Sequence, residues 1–277
     1  MSVLLMTVWL TGCVQEEFES TPSPAGNGIR FTLTVPDVNL PSVSSRTMTG
    51  TGTAKKEDEI ETVDILVFDM SKTPAVFLEW VSATGVTQDL ADNSTVSFSA
   101  VLSPTTASTC IVVVANKELD NIVSGFTKGA TTKVEAMEKM LHTQTGKWLA
   151  DGSTTGGYTR IPMYGEKVIS KITPSMDPIT GINMKRMLAR IDIRNNSATS
   201  NFTVEEVYLA NYNTTGYIAP AWNTNGQVTE PAPDTPVLPT GSGKMTEEGN
   251  AILYSVNGNT PYDGEIYTFE SLAAEDA

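Results

Sequence analysis

The chain has 277 residues, 18 Lys+Arg against 32 Asp+Glu, a formal net charge of −14, one His and two Cys. Its length fits one large domain or two modest ones, and 40% hydrophobic residues suffice for a real core. The negative charge argues against a nucleic-acid partner, which would need a basic footprint, and one His with two Cys speaks against a zinc site or a Cys–His catalytic pair.

Residues 3–10 (VLLMTVWL) form an apolar run. It is far shorter than the roughly 20 residues of a membrane span and has the size of a signal-peptide core. It ends in Leu10-Thr11-Gly12-Cys13, which resembles a bacterial lipobox, although no Lys or Arg precedes the run. On this reading residues 1–12 are a lipoprotein signal peptide and Cys13 carries the lipid; the alternative is a buried N-terminal strand with an ordinary Cys. Residues 1–12 hold no charged side chain, so the mature chain keeps its −14. Residues 13–27, rich in Glu, Ser and Pro after the Cys, read as a flexible tether.

Order is expected to begin at Ile29. Ile29, Phe31, Leu33 and Val35 alternate with Arg30, Thr32, Thr34 and Pro36, the period of a half-buried strand. A loop from Asp37 to Lys56 holds Arg46 and two Gly. The acidic cluster Glu57-Asp58-Glu59 lacks calcium-loop spacing and reads as solvated surface. Within 60–69, Val63, Ile65 and Val67 share a strand face, and further strands fit 76–81, 95–102 and 110–115. The last (CIVVVA) is apolar and β-branched throughout, so Cys110 reads as a buried thiol.

A short helix is expected over 117–126 and a better one over 132–141, with Val134, Met137 and Leu141 inward and Lys133, Glu135, Glu138 and Lys139 outward. His142 at its end reads as a solvent-facing or C-capping residue. A strand follows at 160–166, and the Pro174–Thr180 run marks a domain boundary. Beyond it Met187, Ala189, Ile191 and Ile193 alternate with Leu188, Arg190, Asp192 and Arg194, and strands fit 202–210, 251–256 and 265–270. The Pro-rich run 229–243 cannot be a central strand. The whole reads as mostly β, built from sandwiches with a few short helices.

No catalytic constellation appears. Gly241-Ser-Gly-Lys244 is not a phosphate loop, because Leu238 and Met245 stand where Gly and Ser or Thr belong. There is no Gly-x-Ser-x-Gly elbow. No enzyme activity, cofactor or metal is expected.

The lipobox, the first strand, Ser45-Arg46-Thr47, residues 57–69 (EDEIETVDILVFD), the strand ending at Asn116-Lys117, Ile161-Pro-Met-Tyr-Gly-Glu166 and Met187-Leu-Ala-Arg-Ile-Asp192 together resemble the fimbrillins. These are the FimA-type and Mfa-like major fimbrial subunits of type V pili. The resemblance implies two transthyretin-like β-sandwich domains, at 28–178 and 179–277, the second short enough to be incomplete. It also implies export as a lipoprotein to the outer membrane and cleavage by an Arg-specific protease, here at Arg46. Cleavage would remove the strand carrying Ile29, Phe31, Leu33 and Val35, and a neighbouring subunit's strand would replace it. The implied partners are other fimbrial subunits, the outer membrane through the lipid, and a host surface or other bacteria as adhesion targets. The alternatives are a lipid-anchored glycan-binding module, with Trp80, Trp148 and Trp222 as platform, or an uncleaved anchor or accessory subunit.

Overall fold

A computed structural model describes residues 29–35, 57–88, 95–144, 146–148, 159–193, 204–230, 236–240, 244–245, 251–255 and 262–271. Cys13, the tether at 13–27, and Arg46 with the whole of its loop lie outside the described residues.

Among the described residues, the first part of the chain supplies ten strands. They are β1 (Ile29–Thr34), β2 (Val63–Asp69), β3 (Val76–Ser82), β4 (Thr84–Gln88), β5 (Thr95–Ala100), β6 (Thr109–Ala115), β7 (Leu141–Thr143), β8 (Met163–Ile169), β9 (Ile179–Asn183) and β10 (Lys185–Arg186). Two helices, α1 (Asp120–Val123) and α2 (Lys133–Lys139), lie between β6 and β7. The remainder forms β11 (Ala189–Ile193), β12 (Glu206–Leu209), β13 (Tyr212–Asn213), β14 (Thr215–Tyr217), β15 (Lys244–Met245), β16 (Ile252–Ser255) and β17 (Tyr262–Thr268). The chain is mostly β, as its composition of short alternating segments indicates.

Two sheets form a sandwich. One has the order β4-β5-β1-β9, the other β10-β8-β6-β2-β3. Strand alternation decides which residues meet between them. From β1 come Ile29, Phe31 and Leu33, from β2 Val63, Ile65 and Val67, and from β6 Ile111, Val113 and Ala115. The second sheet is buried on its other face too, where Leu66, Phe68, Cys110, Val112 and Val114 join a second core. That double burial explains the uninterrupted apolar run of β6, all seven residues of which are buried. Both sheets extend past residue 178, where the Pro174–Thr180 run suggests a division: β9 pairs with β1, and β10 pairs with β8.

The outer face of the second sheet is covered by the helical region and by residues far along the chain: Met137 and Met140, then Ile218, Ala219, Tyr267 and Phe269. α2 starts at a capping box, in which Glu135 N donates to Thr132 Oγ1 (3.2 Å) and Thr132 N donates to Glu135 Oε2 (2.7 Å). The helix expected over 117–126 is only one turn, α1. Past β10, the described strands pair two by two: β11–β17, β12–β16, β13–β15, and β14 with β7.

Several expected faces differ from those found. Lys133, placed outward by the helical pattern, is 1% exposed, because its amine turns inward to pair with the Glu166 carboxylate on β8. His142 sits in β7 rather than at a helix end; its ring packs 4.9 Å from Trp148 and 6.4 Å from Phe269. Burial, with Lys117 nearby, lowers its pKa to about 4. On β11, Ala189 is exposed and Ile191 is 40% exposed, while Arg190 between them turns to a buried partner. The ion pair, not the apolar alternation, sets that strand's facing.

Candidate functional site

The first strand is the natural place to look, since three of its side chains, and Val35 just past its end, alternate into the core. Ile29, Phe31, Leu33 and Val35 are all buried. β1 lies inside its sheet, antiparallel to β5 over six residues, with Phe31 opposite Phe98 and Thr32 opposite Ser97. On its other side it runs parallel to β9. There the register shifts between Phe31 and Leu33, and the extra residue on β9 is accommodated near Gly181 at φ +71°. The Phe31 and Phe98 rings stack at 5.0 Å with 6° between planes. Ile65, Val67, Ile111 and Ile182 complete the surroundings.

Two properties of this strand bear on its removal. Its ladder partners on both edges are non-local, and residues 36–56, including Arg46, separate it from the next described segment. Burial of four such side chains is worth about 6–12 kcal/mol at 1.5–3 kcal/mol each, similar to the whole stability of a typical domain. A sandwich without β1 would therefore hold an apolar slot between β5 and β9 that needs another strand.

Immediately past that interval lie residues 57–61, of which Glu57-Asp58-Glu59 read from sequence as solvated surface. The structure corrects this. Glu57 is 6% exposed, and its Oε1 accepts from Arg190 Nη1 (2.6 Å) and Tyr267 Oη (2.6 Å). Asp58 pairs with Arg186. Glu59 and Glu61 share Arg160, at 3.1 and 2.7 Å. The sequence gives no sign of this pairing because the three arginines lie about a hundred or more residues downstream.

The segment precedes β2 and among the described residues has no strand partner of its own; side chains satisfy its backbone. Asn116 Nδ2 donates to the Glu59 carbonyl (2.7 Å), and Asn116 Oδ1 accepts from Glu61 N (3.0 Å). Gln88 Nε2 donates to the Asp58 carbonyl (2.7 Å), and its Oε1 accepts from Ile60 N (3.1 Å). Asn116 has φ 59°, a left-handed conformation that Asn tolerates. An Asn directly after a buried strand was the available signal for such a turn.

A second buried polar group lies under α2. Lys133 Nζ donates to Glu166 Oε2 (2.7 Å), which also accepts from Tyr164 Oη (2.5 Å). Burial pushes the Tyr164 hydroxyl well above its ordinary pKa and the neighbouring Cys110 thiol up to about 11. Cys110 is thus a protonated core residue, as its β-branched surroundings suggest. Of the three Trp considered as a sugar platform, Trp148 is buried, while Trp80 and Trp222 pack partly buried against the same core.

The molecule resembles several solved structures. A fimbrial assembly protein from Parabacteroides distasonis ATCC 8503 is 11% identical with a TM-score of 0.44, over 88% of this chain and 77% of that one. A candidate cell adhesion protein from the same organism is 18% identical with a TM-score of 0.46, over 91% and 73%. Polysaccharide-binding candidates from Bacteroides thetaiotaomicron VPI-5482 are 12% identical with a TM-score of 0.33, over 69% and 60%. No curated protein matches the chain. Residues 29–185, which run from the start of β1 to β10 and so span the sandwich described above, match the family of the major fimbrial subunit protein (FimA), and the chain belongs to that family.

Proposed function

We propose that this fimbrial subunit is assembled by strand replacement: cleavage after Arg46 releases β1, and a neighbouring subunit's strand enters the slot between β5 and β9. The observation that carries the reading is β1 itself, an internal strand whose Ile29, Phe31 and Leu33, with Val35 just past its end, are buried and whose chain connection runs through the Arg46 loop. An incoming strand would reproduce the backbone ladder and place alternate side chains in the sites of Ile29, Phe31, Leu33 and Val35. Such filling is head-to-tail and does not close on itself, so it extends as a filament.

Export as a lipoprotein on Cys13 to the outer membrane completes the proposal. A fimbria held there would present its subunits to a host surface or to other bacteria. Limited digestion of the full chain with an Arg-specific protease tests the assembly step. The first new N-terminus is expected at Thr47, followed by oligomers that resist SDS. Initial cleavage elsewhere, or a trimmed chain that stays monomeric, would count against it. Acylated Cys13 in membrane-fraction protein is the expected mass-spectrometric result for the anchor, and an intact Met1 there would contradict it.

A further inference from the structure

We infer that residues 57–61 form a clasp that fixes the chain at the start of β2 and, through Glu57, fastens the β11–β17 ribbon to the sandwich. Five consecutive residues are each held, and the holders come from separate places: Gln88 at the end of β4, Asn116 after β6, Arg160 before β8, Arg186 in β10, Arg190 in β11 and Tyr267 in β17. Ile60 is buried in the core between the sheets, so the clasp is pinned from below as well.

Glu57 is the junction of the two functions. Arg190 and Tyr267 stand opposite one another in the β11–β17 pairing, and both reach the same carboxylate oxygen. One buried charge thus holds both strands of the ribbon at one rung. A carboxylate at 6% exposure, accepting a guanidinium and a phenol, is costly to leave half-paired. A two-stranded ribbon has little stability alone, so its position depends on such fastening and on Tyr267 and Phe269 in the second core. Arg186 adds a second tie, donating from Nε to the Glu57 carbonyl (3.2 Å) while pairing with Asp58.

The consequence is mechanical. Whatever happens to the chain before residue 57, β2 and the ribbon keep their places. The inference goes beyond the proposed assembly and does not require it, because it is tested on the intact chain.

Amide hydrogen exchange of the full chain with Glu57→Gln and, separately, Tyr267→Phe reads it. Exchange should quicken tenfold or more in Glu57→Gln at Ile60 and Glu61 and together at 189–191 and 266–268, with Ile111–Val114 of β6 unchanged. Tyr267→Phe, which removes one hydroxyl, should give the same pattern more weakly, and it carries the test alone should Glu57→Gln not fold. Ribbon amides that keep wild-type exchange in Tyr267→Phe would overturn the inference, as would an equal rise across β6.

Discussion

The two ends of this molecule solve the same problem with different resources. In the sandwich, β2 pairs with β6 over seven residues and β6 with β8 over seven more, and the sheets enclose a core of twenty buried residues. In the C-terminal part, among the described residues, β12 and β16 pair over four residues and the local core has four buried members. A two-stranded ribbon buries too little of itself to stand alone. The C-terminal part is accordingly held by what it touches on the sandwich, through Tyr267 and Phe269 in the shared core and Glu57 in the clasp. Among the described residues, one region is stabilised by its own core and the other by docking.

Substitutions can break or sharpen that contrast. Phe31→Ala should cost the sandwich about 3–5 kcal/mol, read as a loss in chemical denaturation, because a buried, stacked ring is removed from an internal strand. Lys133→Met should cost about 3 kcal/mol, since it leaves Glu166 and Tyr164 without their cation beneath α2. A stability within 0.5 kcal/mol of wild type would mean that the pair contributes nothing net.

His142 gives a pH-dependent comparison. Its pKa in the fold, about 4, lies below the ordinary 6.5. Between those values the unfolded chain takes up a proton that the folded chain does not, so stability falls as pH drops from 6.5 through 4. The loss should be on the order of 1–2 kcal/mol after allowance for partial exposure. His142→Leu should flatten that part of the profile, and an unchanged slope would refute the assignment. Removing the α2 cap with Thr132→Ala should cost about 1 kcal/mol in thermal or chemical unfolding. Ile191→Ala, on an exposed face of the ribbon, should stay within about 0.5 kcal/mol.

How much of this was legible depended on whether the signal was local. β1, β2 and β6 followed from side-chain alternation and β-branched runs, because those patterns are set by which sheet face is buried. β4 did not, since Thr84–Gln88 (TGVTQ) is polar and held by ladder bonds to β5. The facing of Lys133 and Arg190 was also hidden. A charged residue reads as solvent-facing unless its partner is known, and Glu166 and Glu57 lie 33 and 133 residues away in sequence. The same reason hid the clasp: an acidic run with no nearby cation looks like surface. The candidate strand was therefore readable before its surroundings, and the surroundings needed the fold.

The central claim is that β1 must leave for subunits to join. Thr32 and Ser97 are directly opposite on β1 and β5, so a disulfide between Thr32→Cys and Ser97→Cys would tie the strand in place. Treated with an Arg-specific protease, the oxidised variant should be cut yet remain monomeric, and reduction should restore SDS-resistant oligomers. Oligomers of the oxidised variant equal to those of wild type would contradict the account.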